Sequence, residues 1–235
     1  MMITNARIKQ LRSLKDKKFR DGLGLFVVEG EKMVNEVLAS GMEVVEVWRS
    51  SEIGEDAMSR ISMFSTPSPV LAVVRKPEQI VAEMVPGLSL ALDSVRDPGN
   101  MGTIIRIADW FGIDTIFASH DCVDAYNPKV VQATMGGLFR RKVIYTDIPQ
   151  LCKRYREAGK AVYGTFLDGE DIYGSSLATE GLVVMGNESN GISPAVAAEV
   201  TSRLLIPRGE GGAAESLNVA VASAVILSEF NRRTR

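Results

Sequence analysis

Residues 88–106 form the stretch Leu88-Ser-Leu-Ala-Leu-Asp-Ser-Val-Arg-Asp-Pro-Gly-Asn-Met-Gly-Thr-Ile-Ile-Arg106, in which an apolar run leads through a polar, glycine-containing turn into a second apolar segment. The first five residues have the length and composition of a buried strand. The spacing beyond the turn is compatible with a helix over Thr103–Phe111. We therefore predict a strand that passes directly into a helix through a loop able to carry chemistry.

The same alternation continues to the last helix. Further strands are predicted at Thr115–Ala118, Lys142–Tyr145, Ala161–Thr165, Leu182–Met185 and Leu204–Ile206, with helices at Ile148–Ala158, Pro194–Val200 and about Glu215–Phe230. This pattern predicts an α/β fold whose mostly parallel sheet has helices on both faces. Ligands of such sheets bind at the carboxyl ends of the strands, so the loops that follow them are the candidate sites.

A smaller α/β unit precedes this region. It is predicted from strands at Leu25–Glu29, Glu43–Trp48 and Val70–Val74 and a helix at Glu31–Ala39. The pairs Lys76-Pro77 and Pro86-Gly87 frame the boundary beyond it, because proline and glycine interrupt regular elements. We predict a first domain over 1–77, a linker over 78–87 and a second domain over 88–235.

Composition excludes several classes of protein. Of the 235 residues 46% are hydrophobic, and the formal net charge is −2, which is typical of soluble globular chains. The single histidine, His120, rules out a multi-histidine zinc site, and we expect no metal. No apolar run approaches the roughly 18 residues of a membrane span. With two cysteines that suit reduced thiols, we expect a cytoplasmic protein with no membrane contact.

Charge is uneven along the chain. Residues 1–20 contain seven basic side chains and one acidic side chain, a local charge of +6. Such a run is compatible with phosphate contacts and equally with a solvated helix face.

Three polar loops follow predicted strands. They hold Asn100 and Arg106, then Glu188, and finally Ser216 and Asn218. Helix capping is an alternative explanation for the asparagines and the serine. Arg106 lies in a stretch suited to burial, where an arginine needs an anionic or hydrogen-bonding partner.

A glycine pattern in the third loop is similar to one found in a different class of enzyme, the nucleotide-dependent oxidoreductases. Gly209, Gly211 and Ala214 match a dinucleotide-binding fingerprint between a strand and a helix. That fingerprint requires another strand with an acidic residue about 20 residues further on. Helix occupies that distance here, which disfavours a nucleotide-dependent oxidoreductase.

Taken together, the three loops resemble the motifs of the SpoU (TrmH-type) branch of the SPOUT methyltransferases. The matching strings are residues 92–106 as quoted above, Met185-Gly-Asn-Glu-Ser-Asn-Gly191 and Glu215-Ser-Leu-Asn-Val-Ala-Val-Ala222, and the resemblance covers residues 88–235. The basic opening and Phe26-Val-Val-Glu-Gly-Glu-Lys32 are similar to the L30e-like substrate-binding domain of many members. The third loop is about two residues longer than the family form, with Arg208 and Glu210 added.

The resemblance implies transfer of a methyl group from S-adenosylmethionine to a ribose 2′-hydroxyl of structured RNA. Ribosomal RNA is the expected substrate, and transfer RNA is the alternative within the family. The resemblance also implies a C-terminal trefoil knot and a homodimer. A non-catalytic RNA-binding protein with the same fold is the remaining alternative.

The resemblance assigns roles to particular residues. The catalytic set is Asn100, Arg106, Glu188, Ser216 and Asn218. The cofactor set is Thr165, Phe166, Gly186, Ile206 and Leu217. The RNA-binding set is Arg12, Lys18, Arg20, Glu29 and Lys32. Because a guanidinium does not readily give up its proton, we expect Arg106 to stabilise developing alkoxide charge and not to act as a base.

Overall fold

The computed structural model describes residues 3–78 and 83–233. The chain forms two compact units, and each of them is built from two separate segments. The first unit contains the chain up to Glu78 and also Asp124–Arg140, while Gln79–Val123 and Arg141–Arg235 form the second. The sequence did not predict this return to the first unit. The linker predicted over 78–87 falls partly on residues 79–82, which lie outside the described residues.

The first unit is a three-stranded antiparallel sheet with helices. Its elements are α1 (Asn5–Ser13), α2 (Lys17–Leu23), β1 (Leu25–Glu29), α3 (Glu31–Ala39), β2 (Val44–Arg49), α4 (Ser50–Ile53), α5 (Glu55–Ile61) and β3 (Val70–Arg75). The strand order is β1-β3-β2, with β3 pairing antiparallel to both neighbours. Alternate residues of β1 and β3 pack with α1 and α5, as Val27 and Val73 do with Leu11 and Ile61.

The returning segment completes the first unit. It contributes α7 (Pro128–Ala133) and a short 3-10 helix at Gly137–Phe139. The ring of Tyr126 lies 4.9 Å from that of Phe26 on β1. Burial, with a smaller contribution from the neighbouring Asp124 carboxylate, raises the pKa of Tyr126 to about 12, so the phenol stays neutral.

The second unit has the predicted strand–helix alternation. Its elements are β4 (Leu88–Leu92), α6 (Pro98–Trp110), β5 (Thr115–Ala118), β6 (Lys142–Tyr145), α8 (Ile148–Glu157), β7 (Val162–Asp171), β8 (Gly181–Met185), α9 (Pro194–Ala197), β9 (Ser202–Leu205) and α10 (Val219–Arg233). All six strands pair in parallel in the order β6-β5-β4-β8-β7-β9. The mostly parallel sheet predicted from the sequence is therefore confirmed.

Neighbouring residues of the strands pack on opposite sides of this sheet. Val162 belongs to the buried cluster that contains Leu151 of α8 and Val196 of α9. The next residue, Tyr163, meets Phe230 of α10 at a ring distance of 5.0 Å. Helix α10 also packs against α6.

Two helices start at a different residue from the sequence prediction. Helix α6 begins at Pro98 and not at 103, because the Asp97 side chain accepts the Asn100 N–H and Pro98 suits the first turn. Helix α10 begins at Val219 and not near 215, because the Asn218 Oδ1 accepts the N–H groups of Ala220 and Val221. None of the helices in the described ranges is long and apolar enough to span a bilayer.

Candidate active site

The loops after β4 and β8 are joined by hydrogen bonds at the carboxyl edge of the second unit's sheet. The Asn187 Nδ2 donates to the Ser94 carbonyl at 2.7 Å. The Ser193 N–H donates to the buried Asp93 carboxylate, also at 2.7 Å. Because β4 and β8 are adjacent parallel strands, their loops emerge side by side and these bonds fix their separation.

Three of the predicted catalytic residues form a continuous chain of hydrogen bonds. The Asn218 Nδ2 donates to the Asn100 Oδ1 at 2.8 Å. The Asn100 Nδ2 in turn donates to the Glu188 Oε1 at 2.9 Å. Asn218 is 118 positions from Asn100 in the chain, and Asn100 is 88 positions from Glu188. The fold therefore brings the three polar loops together at one place.

Capping explains Asn218 in part, but it does not explain Asn100. The Asn218 Oδ1 caps α10 while its amide nitrogen faces Asn100, which fixes the orientation of the side chain. Asn100 lies inside the first turn of α6, where Asp97 is the cap. Ser216 is exposed, and no described residue hydrogen-bonds to its hydroxyl.

Arg106 is exposed on α6, which differs from the burial suggested by its apolar neighbours. Asn100, Thr103, Arg106 and Trp110 recur every three or four residues and share one face of the helix. Six residues of helix separate Asn100 from Arg106, a rise of about 9 Å. No described residue forms an ion pair or a hydrogen bond with the Arg106 guanidinium, so its donors are available to a ligand.

The turn after β8 requires glycine at its first position. Asn187 and Gly191 pair across it through two backbone hydrogen bonds of 2.9 and 3.0 Å. A Cβ on Gly186 would overlap the backbone of Gly191 and Ile192. The two sides of the turn can approach this closely because residue 186 has no Cβ. Glu188 lies at the exposed tip of the turn.

Two of the predicted cofactor residues, Thr165 and Phe166, lie within β7 and not on a loop after it. The others, Gly186, Ile206 and Leu217, lie on the loops after the neighbouring strands β8 and β9. Thr165 donates through its hydroxyl to the Val184 carbonyl at 3.2 Å. The Phe166 ring packs against the core, and the Arg203 guanidinium lies 3.5 Å above it. Ile206 is half-buried directly after β9, and Leu217 is 50% exposed.

The long third loop closes on itself. The Gly212 N–H donates to the Gly209 carbonyl at 3.0 Å, and Arg208 reaches the Gly212 carbonyl at 3.4 Å. Residues 213–218 carry no helix or strand and are exposed. Their backbone groups, with Ile206 and Leu217, give the mixture of apolar surface and amide donors that suits an adenosine and a methionine-like chain.

The predicted RNA-binding residues divide into two groups. Arg12, Lys18 and Lys32 are exposed on helices of the first unit. Lys18 lies 4.8 Å from the centre of the exposed Phe19 ring.

Arg20 and Glu29 are buried, which corrects their predicted place on an RNA-binding surface. Arg20 is 2% exposed and is held by Asp124 and by two backbone carbonyls. Glu29 is 4% exposed and accepts hydrogen bonds from the Ser62 hydroxyl and the Met63 N–H. Burial is the main reason that the pKa of Glu29 is raised. Both side chains stabilise the unit internally.

Sequence reasoning missed Asp93 and Asn187, which join the first two loops. Both residues come just after the end of a buried strand, β4 or β8. Polar residues at the carboxyl end of a parallel strand are candidates for a site, so this position could have identified them.

The fold and the polar edge of its sheet define a class of protein. The SpoU rRNA Methylase family model matches residues 87–228, and the MRM3-like substrate binding domain matches residues 5–76. The chain belongs to the SpoU rRNA methylase family.

Individual relatives resemble almost the whole chain. It is 32% identical over 239 residues to the 23S rRNA (guanosine(2553)-2′-O)-methyltransferase RlmP of Bacillus subtilis, with 95% of each chain covered. The solved structure of a TrmH-family RNA methyltransferase from Porphyromonas gingivalis is 39% identical, with a TM-score of 0.90 over 99% of this chain and 100% of that one. An AdoMet-bound rRNA methyltransferase from Sinorhizobium meliloti is 28% identical, with a TM-score of 0.87 over 100% and 98%.

Proposed function

We propose that this protein transfers a methyl group from S-adenosylmethionine to a ribose 2′-hydroxyl of ribosomal RNA. The observation that carries the proposal is the Asn218–Asn100–Glu188 chain of hydrogen bonds beside the unpartnered Arg106. Family membership and the AdoMet-bound relative support the choice of methyl donor. Ribosomal RNA is preferred to transfer RNA because the Bacillus relative, which matches both units, is named for 23S rRNA.

Arg106 binds the substrate in this mechanism. Its donors contact the reacting ribose oxygen or the adjoining phosphate, and they stabilise the negative charge that develops on that oxygen. A guanidinium keeps its proton, so Arg106 acts electrostatically and is not the base.

Asn100 and Glu188 orient the target. Asn100 is held by Asn218 on one side and by Glu188 on the other, so its side chain is fixed before RNA binds. Glu188 is exposed at the tip of its turn and accepts a substrate hydroxyl. Correct placement of the hydroxyl is the main task here, because displacement at a methyl carbon requires an in-line approach.

Thr165, Gly186, Ile206 and Leu217 hold the cofactor, with most contacts made by backbone groups. When bound, S-adenosylmethionine supplies the electrophilic methyl group. The turn at Gly186 can be narrow because glycine has no side chain to overlap the facing backbone. The exposed Leu217 provides apolar surface. Phe166 contributes its partly buried ring, above which the Arg203 guanidinium lies.

Three finer features complete the proposal. The loops after β8 and β9 are threaded as a trefoil knot, as the resemblance implies. The first unit is an L30e-like RNA-binding domain, with Arg12, Lys18 and Lys32 on its exposed surface. A protein that acts on ribosomal RNA works where ribosomes assemble, so we propose a cytoplasmic location.

The test of the activity is methyl transfer to RNA. Purified protein and tritiated S-adenosylmethionine are incubated with in-vitro-transcribed 23S ribosomal RNA and, separately, with transfer RNA. We expect label in the ribosomal RNA and a single new 2′-O-methylated ribose on mapping. Label in transfer RNA alone would show that transfer RNA, and not ribosomal RNA, is the substrate. Binding of S-adenosylmethionine without methyl transfer to either RNA would contradict the proposal.

We also propose that the protein is a homodimer whose contact includes α6 and α10. Trp110 on α6 is 84% exposed. Val221 on α10 is 51% exposed, and Leu217 precedes the same helix. Large exposed apolar side chains on two packed helices are typical of an interface.

Trp110→Glu should therefore weaken the dimer. Buried tryptophans at interfaces often contribute about 2 kcal/mol or more, so the dissociation constant should rise at least about thirtyfold in sedimentation equilibrium. Leu38→Glu, at a residue of the first unit that is 50% exposed, is the matched control and should leave the dimer intact. A Trp110→Glu protein that stays dimeric would exclude α6 from the contact.

A further inference from the structure

A second exposed arginine lies at the edge of the sheet that carries the candidate active site. Arg96 is four residues before Asn100 in the loop between β4 and α6, and its side chain is 67% exposed. Its Nη2 donates to the Asp121 carboxylate at 2.8 Å. The described residues provide no partner for its remaining N–H donors, and a guanidinium has five in all.

The support beneath Arg96 is unusually complete. Asp121 also accepts hydrogen bonds from the hydroxyls of Ser94 and Ser119, both at 2.6 Å. Arg96 and these two hydroxyls hold the pKa of Asp121 well below its usual range, so the carboxylate stays charged. The exposed Arg75–Glu43 pair lacks this support. Among the described residues, Arg75 alone donates a side-chain hydrogen bond to the Glu43 carboxylate.

The backbone on each side of Arg96 is also fixed. The Val95 N–H donates to the Cys122 thiol at 3.2 Å, and the Ser94 N–H donates to the Ser119 hydroxyl at 2.8 Å. On the other side, Asp97 caps α6. The arginine is thus held on a rigid loop, with its free donors directed to solvent.

Stability does not account for this arrangement, because exposed ion pairs contribute little to it. A fixed guanidinium with free donors suits two-point recognition of a phosphate. The loop that carries Arg96 is joined to the Glu188 loop, because the Asn187 Nδ2 donates to the Ser94 carbonyl at 2.7 Å. Asp121 is the main cause of the raised pKa of Arg96, and Glu188 adds a smaller effect.

We propose that Arg96 binds a phosphate of the RNA strand that carries the target ribose, and that Asp121 is the residue that positions it. The inference rests on the proposed function and adds a contact that determines how RNA is placed. It makes Arg96 a binding residue distinct from Arg106, which acts at the reacting oxygen.

The test measures RNA affinity as a function of salt for Arg96→Ala in the full-length protein, with in-vitro-transcribed 23S ribosomal RNA. We expect about tenfold weaker binding and a slope of log affinity against log salt that is smaller by about 1, as for one lost phosphate contact. S-adenosylmethionine affinity and melting temperature should not change. Arg156→Ala is the control, since it removes a similar exposed ion pair, with Glu199, in the last turn of α8.

Two further variants separate binding from structural support. Arg96→Lys keeps a charge and should recover most of the salt slope. Asp121→Asn should weaken RNA binding two- to threefold with the slope unchanged, because Arg96 is still present. Wild-type affinity and slope in Arg96→Ala, or an equal loss in Arg156→Ala, would overturn the inference. Absence of methyl transfer by the wild type would instead count against the proposed function, since the binding measurements do not require turnover.

Discussion

Replacing Arg106 by alanine should lower the rate of methyl transfer to RNA by about a hundred- to a thousandfold. This is the range found when a single donor to a developing oxyanion is removed. Arg106 is exposed, and no described residue pairs with it, so its loss leaves no buried carboxylate without a partner. The melting temperature and the affinity for S-adenosylmethionine should therefore stay close to those of the wild type. Single-turnover transfer of tritiated methyl and calorimetric titration measure the two quantities separately.

A matched control is available on the same unit. Arg154 is an exposed arginine on α8, and Arg154→Ala should retain full activity. Arg106→Lys keeps the charge but loses the two-point geometry, so we expect it to recover only part of the rate. An Arg106→Ala enzyme that transfers methyl at close to the wild-type rate would remove this residue from the mechanism.

Replacing Asp124 by alanine should destabilise the first unit by about 3–5 kcal/mol, the usual cost of leaving one member of a buried ion pair alone. The Arg20 and Asp124 side chains are 2% and 6% exposed, and two arginine nitrogens donate to the Asp124 Oδ2, at 2.6 and 2.9 Å. Arg20 also donates to the carbonyls of Leu14 and Lys15. Urea unfolding followed by Trp48 fluorescence, in a Trp110→Phe background, reports on this unit.

Two comparisons give this prediction its controls. Glu43→Ala breaks the exposed pair with Arg75, whose side chains are 51% and 61% exposed, and should cost at most about 1 kcal/mol. The double variant Arg20→Met with Asp124→Leu removes both buried charges and should be more stable than Asp124→Ala. A loss for Asp124→Ala no larger than that for Glu43→Ala would show that the buried pair does not stabilise the unit.

Local pattern was sufficient for much of the second unit. The bounds of β4, β5 and β6 follow from apolar runs of four or five residues between polar segments, and the structure has the same bounds. The local sequence pattern was a poorer guide to helix α1, in which charged residues outnumber the apolar ones that are buried. Helix α1 buries Ile8 and Leu11, whereas its basic residues were equally compatible with phosphate contacts and with a solvated helix face, so no bounds were predicted for this helix.

Contacts between distant residues were not accessible to sequence reasoning. Arg20 and Asp124 are 104 positions apart, and neither residue type indicates by itself that it will be buried. At the active site the resemblance named Asn100, Glu188 and Asn218, while the order of their hydrogen bonds required coordinates. Arg96 was passed over because the resemblance gave it no role, and its support by Asp121 becomes visible only in three dimensions.

The division of the first unit between two chain segments has a consequence for biosynthesis. A ribosome that has made only the first 78 residues has not yet produced the segment that provides Asp124 and α7. The 62 residues from 79 to 140 require roughly 3–12 s at about 5–20 residues per second. Until residue 124 of that stretch has been made, the nascent domain holds the Arg20 guanidinium without its carboxylate. The first unit therefore cannot complete its fold until translation has passed residue 140.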